Sequence, residues 1–506
     1  MSEQLQYSMH HTMHIHNIDN DSLLQIFSYY RLQDGDNWHL RHTWRMLVQV
    51  CRRWRYLIYR STSQLDMCLL LTYNSPSIYT LGHLPPLPLV IDYSKFKALA
   101  RRDEDNIYFG LQRCGRVHRV ALQASYSNLR KLFNPLNKPF PRLEDLSLIS
   151  TTTGTGLVLP ETFHAPFLRH LSLHGIGFPK GLPFLSSMIA LSTLSLVHIQ
   201  KSSYFSPGHL VTQLQSLLCL EELSIRFLIP MPLPSSEGEL LPAPIPPVTL
   251  PNLRRLTFQG ESDYLDNLVA PINTPFLEQL SLTLFFDIDF ALVKLTEFIH
   301  RTKGFRFFIT RVFFNKGGVF IEAGIGKFSL HVKVSCEPLD HQIGSTTQVF
   351  STLGNALSTV EKLVLDINVN GMPSDWENRR DNMLWHELLL PFIGVKKLDI
   401  GFSLIFELSR ALESLAGGLV QEILPELQEL EVLHLEMYHA NLSGFIETQE
   451  SMGRPIRLLT PQMAHLQASP EVRAPFPYLA RANTGSFREI YCSLMATSLE
   501  WSEQRR

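Results

Sequence analysis

A six-residue pattern of apolar and polar positions recurs along the middle of the chain. Its form is L-x-x-L-x-L, and its last apolar positions alternate with polar ones, as in a strand with one buried face. Ten copies begin at Val117, Leu143, Leu168, Leu191, Leu220, Leu253, Leu277, Val360, Val395 and Leu430. The first five starting positions are separated by 26, 25, 23 and 29 residues, which is in or near the period of about 20–29 residues of one class of repeat.

These repeats resemble irregular leucine-rich repeats. The resemblance implies an α/β fold in which residues 65–451 form a solenoid with a parallel inner sheet. Each repeat would supply one short strand to that sheet and return by a helix or a loop, while its leucines cover the apolar edge of the neighbouring repeat. The asparagine or cysteine that usually follows the strand is not evident, which favours the irregular class.

Two stretches interrupt the array. Residues 229–251 contain eight prolines, and proline at this density excludes helix and inner strand, so we predict a loop between two repeats. Residues 304–335 contain three runs of strand-forming residues, with Asn315-Lys-Gly-Gly318 as a turn. We predict a two- or three-stranded antiparallel insert there rather than another repeat.

The residues between the leucines are predicted to face solvent, because side chains alternate across a strand. The middle position is a small hydroxyl residue in six copies: Ser147, Ser172, Ser195, Ser224, Thr257 and Ser281. A small residue there also fits a crowded sheet, which is the structural interpretation of the row. The columns on either side vary more, and such polar walls could hold a protein segment. We predict target contacts from His174, Glu222, Arg226, Arg255 and Gln259.

A helical periodicity marks the N-terminal stretch, residues 15–64. After a start signal at Asn20 or Asp21, a first helix carries the apolar residues Leu23, Leu24, Phe27 and Tyr30. A second helical run is predicted over about 38–47, and a third helix is predicted to carry on one face Val50, Cys51, Trp54, Leu57 and Ile58. Three helices in so short a stretch cannot bury much apolar surface by themselves. We therefore expect a partner to cover the apolar surface that they leave exposed.

The same stretch resembles an F-box. The family's closing pattern, Val-Cys-Arg-x-Trp-Arg, is complete from Val50 to Arg55, and its central pairs match Leu23-Leu24 and Ile26-Phe27. The opening departs from the family, because Ile18-Asp19 stands where Leu-Pro is usual and the preset turn before the first helix is missing. The alternative interpretation is an ordinary three-helix cap in which the aromatic residues belong to the core.

The resemblance implies a function. F-box proteins with leucine-rich repeats are substrate receptors of Skp–cullin–F-box ubiquitin ligases: the F-box docks on the Skp adaptor, and the repeats hold the target protein. On this expectation the chain has no catalytic site, cofactor or metal of its own, and it raises the effective concentration of its target near the ubiquitin-charged enzyme. The residues that would face or support the adaptor are Ile18, Leu23, Leu24, Phe27, Val50, Trp54 and Leu57.

Composition and charge limit the kinds of partner and the cell compartments to be expected. Of the 506 residues, 45% are hydrophobic and 18% charged, and the net charge of −2 gives no general attraction to nucleic acid or anionic membranes. The chain shows no apolar run of membrane-spanning length and no secretion signal, so we expect a protein of the cytoplasm or nucleus. The six cysteines show neither metal-site nor disulfide spacing.

The two ends of the chain show little periodicity of apolar and polar residues. We predict a disordered tail over residues 1–14, whose histidines lack anything to hold a metal in a fixed geometry. We predict a loosely ordered tail over residues 452–506, with a candidate late helix from 487 to 501. P-loop, G-x-S-x-G and H-E-x-x-H motifs are not found. Two alternatives to the ligase receptor stay open: a repeat scaffold outside any ligase, and an enzyme with its site in the strand-rich insert.

Overall fold

The repeats build one large sheet in the computed structural model of the chain. Its sixteen strands are β1 (Leu69–Leu71), β2 (Leu89–Tyr93), β3 (Val117–Ala124), β4 (Asp145–Ser150), β5 (His170–His174), β6 (Thr193–Ile199), β7 (Glu222–Phe227), β9 (Arg255–Gly260), β11 (Gln279–Leu284), β12 (Ile309–Asn315), β13 (Gly318–Ile325), β14 (Phe328–Val334), β15 (Lys362–Ile367), β16 (Lys397–Ile400), β17 (Glu429–Val432) and β18 (Arg457–Leu459). Two short strands, β8 (Val248–Thr249) and β10 (Ile272–Asn273), pair with each other.

The structure describes residues 17–32, 44–62, 64–65, 68–73, 75, 87–95, 99–152, 156–177, 179, 184–230, 247–286, 288, 292–302, 306–336, 338–367, 382–401, 404–415, 423–432 and 439–459. The predicted N-terminal tail, most of the proline-rich loop and residues 460–506 of the predicted C-terminal tail lie outside these ranges. Within the described ranges, no helix combines the length and the apolar character needed to cross a membrane.

The helices lie between strands, apart from the first three, which precede the sheet. They are α1 (Asn20–Leu32), α2 (Trp44–Val50), α3 (Arg52–Arg60), α4 (Arg101–Gln112), α5 (Tyr126–Leu132), α6 (Pro207–Leu214), α7 (Ser262–Val269), α8 (Val293–Arg301), α9 (Leu339–Leu353), α10 (Asn382–Leu389), α11 (Ile405–Leu415) and α12 (His439–Ser451). From α6 to α12 each helix packs against the next one along the chain, so the helices form a row that parallels the order of the repeats.

The repeat leucines lie side by side across the sheet. In the parallel register Leu146 is opposite Leu171, and Leu171 is opposite Leu194, and all three are fully buried. Helices cover this leucine face. For example, Leu295 of α8 and Leu282 of β11 line the same small apolar cavity. The intervening residues are half-buried or exposed on the other side, which we call the open face. The predicted α/β solenoid-like fold, with its parallel sheet, is therefore confirmed.

The stretch predicted as an insert is part of the sheet. β13 lies between β12 and β14 and pairs antiparallel with both, while β14 also pairs parallel with β11 and β12 pairs parallel with β15. Only β13 runs against the other strands of the sheet. Gly318 opens β13 at a φ of 140°, and a side chain there would meet the carbonyl oxygen of Val334. The hydrophobic core therefore continues through the antiparallel strands without a break.

The array is longer than the repeat pattern indicates. Strands β1 and β2 add to its N-terminal end, before the first recognised copy at Val117. At the other end β18 pairs with β17, so residues 457–459, which we placed in a C-terminal tail, belong to the sheet. These end strands escape the pattern because β1 is a run of three buried leucines and β18 is only three residues long, and neither shows the alternation of a full repeat.

The last recognised repeat is assigned in the wrong phase. The sequence suggests a copy from Leu430 to Leu435, but β17 spans 429–432, and Leu430 lies opposite Leu398. The true copy therefore starts at Leu427, three residues earlier. Both phases satisfy the L-x-x-L pattern because leucines stand at 427, 430 and 433. The pairing with β16 decides between the two phases, since a shift of register changes which residues face the core.

Candidate functional site

The first helix begins at a side-chain cap instead of a proline. The carboxylate of Asp19 accepts hydrogen bonds from the backbone N–H of Ser22 at 2.8 Å and from its hydroxyl at 2.7 Å. These two bonds lower the pKa of Asp19 below its usual value. Although Ile18-Asp19 stands where the F-box pattern has Leu-Pro, the start of the helix is still defined, because the aspartate cap satisfies one of the free N–H groups of the first turn.

The closing motif ties the three helices together. The sulfur of Cys51 caps α3 by accepting from the N–H of Trp54 at 3.4 Å. Arg53 donates to the carbonyl oxygen of Ile18 at 2.6 Å and to the side chain of Asn20, which fixes α3 to the start of α1. Arg55 donates to the carbonyl oxygen of Val48 at 2.9 Å and fixes α3 to α2. Each of these motif residues therefore has a structural role.

The predicted adaptor residues divide into buried and accessible groups. Leu23, Leu24, Phe27 and Leu57 are buried, and Ile18 and Trp54 are half-buried. The rings of Phe27 and Trp54 meet edge to face at 4.8 Å, so the two aromatics hold α1 against α3. Val50 alone of the predicted set is largely exposed, at 60%. Most of the set can therefore support an adaptor surface but cannot form it.

Other apolar side chains of the same helices are exposed. They are Ile26, Tyr29, Met46 and Tyr56, which are exposed by 48, 62, 68 and 57%. With Val50 they form what we call the apolar set of the helical unit. Sequence reasoning missed four of its five members, because helical spacing identifies the buried face and treats the remaining apolar residues as noise. An apolar residue on the polar side of the pattern is the signal that could have found them.

The open face carries the predicted columns in register. The six hydroxyl residues stand opposite one another from Ser147 on β4 to Ser281 on β11. The five predicted target residues lie in the two flanking columns, on β5, β7 and β9. Glu222 and Arg255 form an ion pair with each other, and the amide of Gln259 donates to the carbonyl oxygen of Phe227 at 3.2 Å. Their role in binding a target stays a prediction.

Two histidines and an arginine come together at the carboxyl ends of β5, β6 and β7. The rings of His174 and His198 are 4.0 Å apart between centroids. Burial, and then the neighbouring His198, lower the pKa of His174 to about 4. Burial, and then Arg226, lower the pKa of His198. Arg226 is exposed and forms no ion pair with any residue that the structure describes. We call these three residues the histidine–arginine cluster.

His198 was not predicted, and a backbone irregularity explains why. Strand alternation would place it on the leucine face, but the pairing of β6 with β7 shifts between Val197 and Ile199. His198 itself has a φ of 53°, in the left-handed region. Such a conformation is uncommon for residues other than glycine and is concentrated at functional sites. A histidine at a position where alternation demands an apolar residue is the sequence signal of this bulge.

The open face near the C-terminal end is instead a closed charge network. Lys362 contacts Asp399 at 2.5 Å, and Lys397 contacts Glu431 at 2.6 Å and Asp399 at 3.8 Å. Burial raises the pKa of Asp399, and Lys362 opposes it. Burial is also the largest single influence on Glu431 and acts in the same sense, but the hydrogen bond with Lys397 and the positive charges of Lys397 and Lys362 together outweigh it and leave the pKa lowered. These charges neutralise one another within the chain.

Comparison with known proteins does not identify a family for this chain. No protein-family profile and no curated protein matches the sequence. A solved structure of a leucine-rich-repeat protein from Leptospira interrogans is similar over 78% of this chain and 89% of that chain, with 13% identity and a TM-score of 0.29. A TM-score this low does not establish a shared fold, so the assignment of the fold rests on the strand order and register. Among the described residues, no three metal-binding side chains converge.

Proposed function

We propose that this chain is the substrate-recognition subunit of a Skp–cullin–F-box ubiquitin ligase. In this proposal α1–α3 are an F-box that docks on a Skp-type adaptor and, through it, on a cullin. The open face of the sheet holds a protein target. The chain performs no bond chemistry and needs no cofactor, and it acts in the cytoplasm or the nucleus by placing its target near the ubiquitin-charged enzyme.

One observation carries this proposal. The complete closing motif joins three short helices, and the same helices expose the apolar set Ile26, Tyr29, Met46, Val50 and Tyr56. A soluble protein that leaves several large apolar side chains exposed on one small unit usually covers them with a partner. A few such anchors supply most of the binding energy of a protein interface. An adaptor-docking role therefore accounts for both the motif and the exposure.

A repeat scaffold outside any ligase is the second candidate. The observation that favours it is the departure at Ile18-Asp19, where the family has Leu-Pro. Affinity purification of the chain from its own source separates the two functions. A ligase receptor brings down the adaptor and a cullin together, whereas a scaffold brings down neither, or the adaptor without the cullin.

The adaptor surface is tested by Val50→Glu. Val50 is exposed, so the substitution should leave the fold intact while placing a charge in the proposed interface. We expect adaptor affinity, measured by calorimetry on purified proteins, to fall by at least about tenfold. The matched control is Ile189→Glu, which changes an equally exposed residue (64%) of the solenoid and should leave adaptor affinity unchanged. Equal losses in the two variants would contradict the proposal.

Trp54→Ala gives a larger effect through the support of that surface. Removing a buried aromatic anchor typically costs about 2–4 kcal/mol, or roughly thirty- to a thousand-fold in affinity. Because Trp54 packs on Phe27, circular dichroism must first show that the helices are retained. The double variant Arg226→Glu, Arg255→Glu should keep wild-type adaptor affinity, since distant sites without shared contacts act independently. A Trp54→Ala chain that binds adaptor normally would remove the F-box assignment.

A further inference from the structure

The histidine–arginine cluster combines three features that ordinary repeat positions lack. His198 is held at a positive φ by a shift in strand register, and its ring lies against that of His174. The Nδ1 atom of His174 is buried and has no hydrogen-bond partner among the described residues. A buried polar atom without a partner costs free energy, so a group that supplies the missing contact is stabilising.

The surroundings of the cluster determine the charge of its ligand. From β4 the register partner of His174 is Ile149, and the hydrogen-bonding backbone of Ser150 favours the charged ring and so opposes the effect of burial on its pKa. From β6 and β7 the neighbours are Val197 and Arg226, a residue exposed as a whole although burial lowers the pKa of its guanidinium. The charged and titratable groups that act on the two rings are each other and this guanidinium. A positive charge repels a metal ion and attracts an anion, and guanidinium geometry matches a carboxylate with two parallel hydrogen bonds.

We propose that His174, His198 and Arg226 form a binding site for a carboxylate side chain in an acidic segment of the partner protein. The proposal deepens the proposed function, because it rests on the open face being the surface that holds a target. Arg226 would supply the permanent charge, and the two imidazoles would supply N–H donors at the end of the hydroxyl row.

The same geometry couples binding of the carboxylate to protonation of the two histidines. In the free protein the two rings stay neutral at pH 7, since burial and Arg226 disfavour their charged forms. A bound carboxylate stabilises the imidazolium, so it raises the histidine pKa values and binding takes up protons. Affinity therefore increases as the pH falls from 7.5 to 5.5. A glutamate side chain remains ionised over this range because its ordinary pKa is about 4.3.

The probe is a fluorescein-labelled Gly-Ser peptide that carries three glutamates, titrated with the full chain in low salt and followed by fluorescence anisotropy. Low salt keeps the attraction between exposed charges measurable. We expect binding that is several-fold tighter at pH 5.5 than at pH 7.5. Arg226→Gln should weaken it about tenfold, which is typical for loss of a charge-assisted hydrogen bond. The matched control is Arg130→Gln, an exposed arginine of α5, which should bind as wild type does.

The histidines are tested by the pair of substitutions His174→Gln and His198→Gln. Glutamine keeps a hydrogen-bonding amide but does not titrate, so this variant should bind the peptide with little change between pH 7.5 and 5.5. Retention of the full pH effect would overturn the proposal, and so would equal affinities of the Arg226→Gln and Arg130→Gln chains. Binding of a phosphoserine peptide without binding of the glutamate peptide would overturn the carboxylate assignment.

The outcome is independent of the adaptor experiments. The peptide titration uses the purified chain without adaptor, and the substitutions lie on the solenoid rather than on α1–α3. Failure of peptide binding with intact adaptor binding removes only the carboxylate site. Failure of adaptor binding with intact peptide binding removes the ligase role and leaves the site in place.

Discussion

The open face has two halves that share strand geometry but differ in their electrostatics. From β4 to β11 its centre is a row of small hydroxyl residues. Glu222 and Arg255 pair with each other there, but Arg226 and the two histidines stand beside the row without a carboxylate partner among the described residues. From β15 to β17 the same columns hold Lys362, Lys397, Asp399 and Glu431, which pair with one another. The leucine core beneath both halves is the same.

We expect this difference to separate residues that bind a partner from residues that stabilise the fold. Hydrogen-bonding groups that are already paired within the chain gain little from a partner, because binding would only exchange one contact for another. Groups without an internal partner gain the full contact. On the proposed function, the half from β4 to β11 is the region that would hold a target, whereas the half from β15 to β17 joins neighbouring repeats through its ion pairs.

The largest expected effect is on stability, in the paired half. Lys397→Met keeps most of the side-chain stem but removes the charge that Glu431 and Asp399 share. We expect a loss of about 2 kcal/mol in the free energy of unfolding, since breaking a partly buried ion pair leaves a carboxylate unpaired. Urea denaturation followed by circular dichroism measures it. Arg226→Met is the matched change in the other half and should stay within about 0.5 kcal/mol of wild type.

Equal destabilisation by these two substitutions would show that Arg226 also serves the fold, and the contrast between the halves would disappear. A Lys397→Met chain of wild-type stability would show instead that the network contributes nothing net. That result would follow if the cost of desolvating the four groups cancels their attraction.

A smaller effect concerns acid stability in the half from β4 to β11. The pKa of His174 is about 4 in the folded chain and about 6.5 when unfolded, so the unfolded chain binds the proton more readily between these values. Stability is therefore lost as the pH falls from about 6.5 towards 4. Between pH 7 and pH 5, we expect the melting temperature of His174→Gln to fall by about 2 °C less than that of wild type.

The control for this comparison is His164→Gln, which changes an exposed histidine and should lose as much stability as wild type between the two pH values. Differential scanning calorimetry at pH 7 and pH 5 makes the measurement. If His174→Gln and His164→Gln respond alike, the buried ring does not contribute to acid sensitivity.

The smallest expected effect is that of shortening the proline-rich stretch between β7 and β9. Removal of residues 231–246 leaves Pro230 and Pro247 to be joined by a short glycine–serine linker. Because closure entropy depends only weakly on loop length, at about 0.6 kcal/mol per doubling, the melting temperature should change by no more than about 1–2 °C. Insoluble expression of the shortened chain would mean that this stretch packs on the solenoid and is more than a loop.

Much of the fold follows from the periodicity of the leucines. Their spacing identifies the strands from Val117 to Leu284, and their alternation separates the leucine face from the open face. The wrong phase at Leu430 and the missed strands β1 and β18 share one cause. Where the pattern is short or fits two registers, the neighbouring strand decides, and sequence distance does not reveal that neighbour.

The sequence by itself determined which residues are buried in the repeats and that helices precede them, because burial follows from hydrophobic spacing. The prediction that Val50 and Cys51 belong to the third helix was wrong, since Val50 ends α2 and Cys51 caps α3. Only the tertiary structure decided that β12 lies beside β15 and β14 beside β11, that His198 turns towards His174, and that Lys397 meets Glu431. These contacts join residues of different strands. The contact between His174 and His198 also depends on the positive φ angle of His198. Side-chain periodicity reports the face of an element, whereas the pairing of elements is set by packing across the whole sheet.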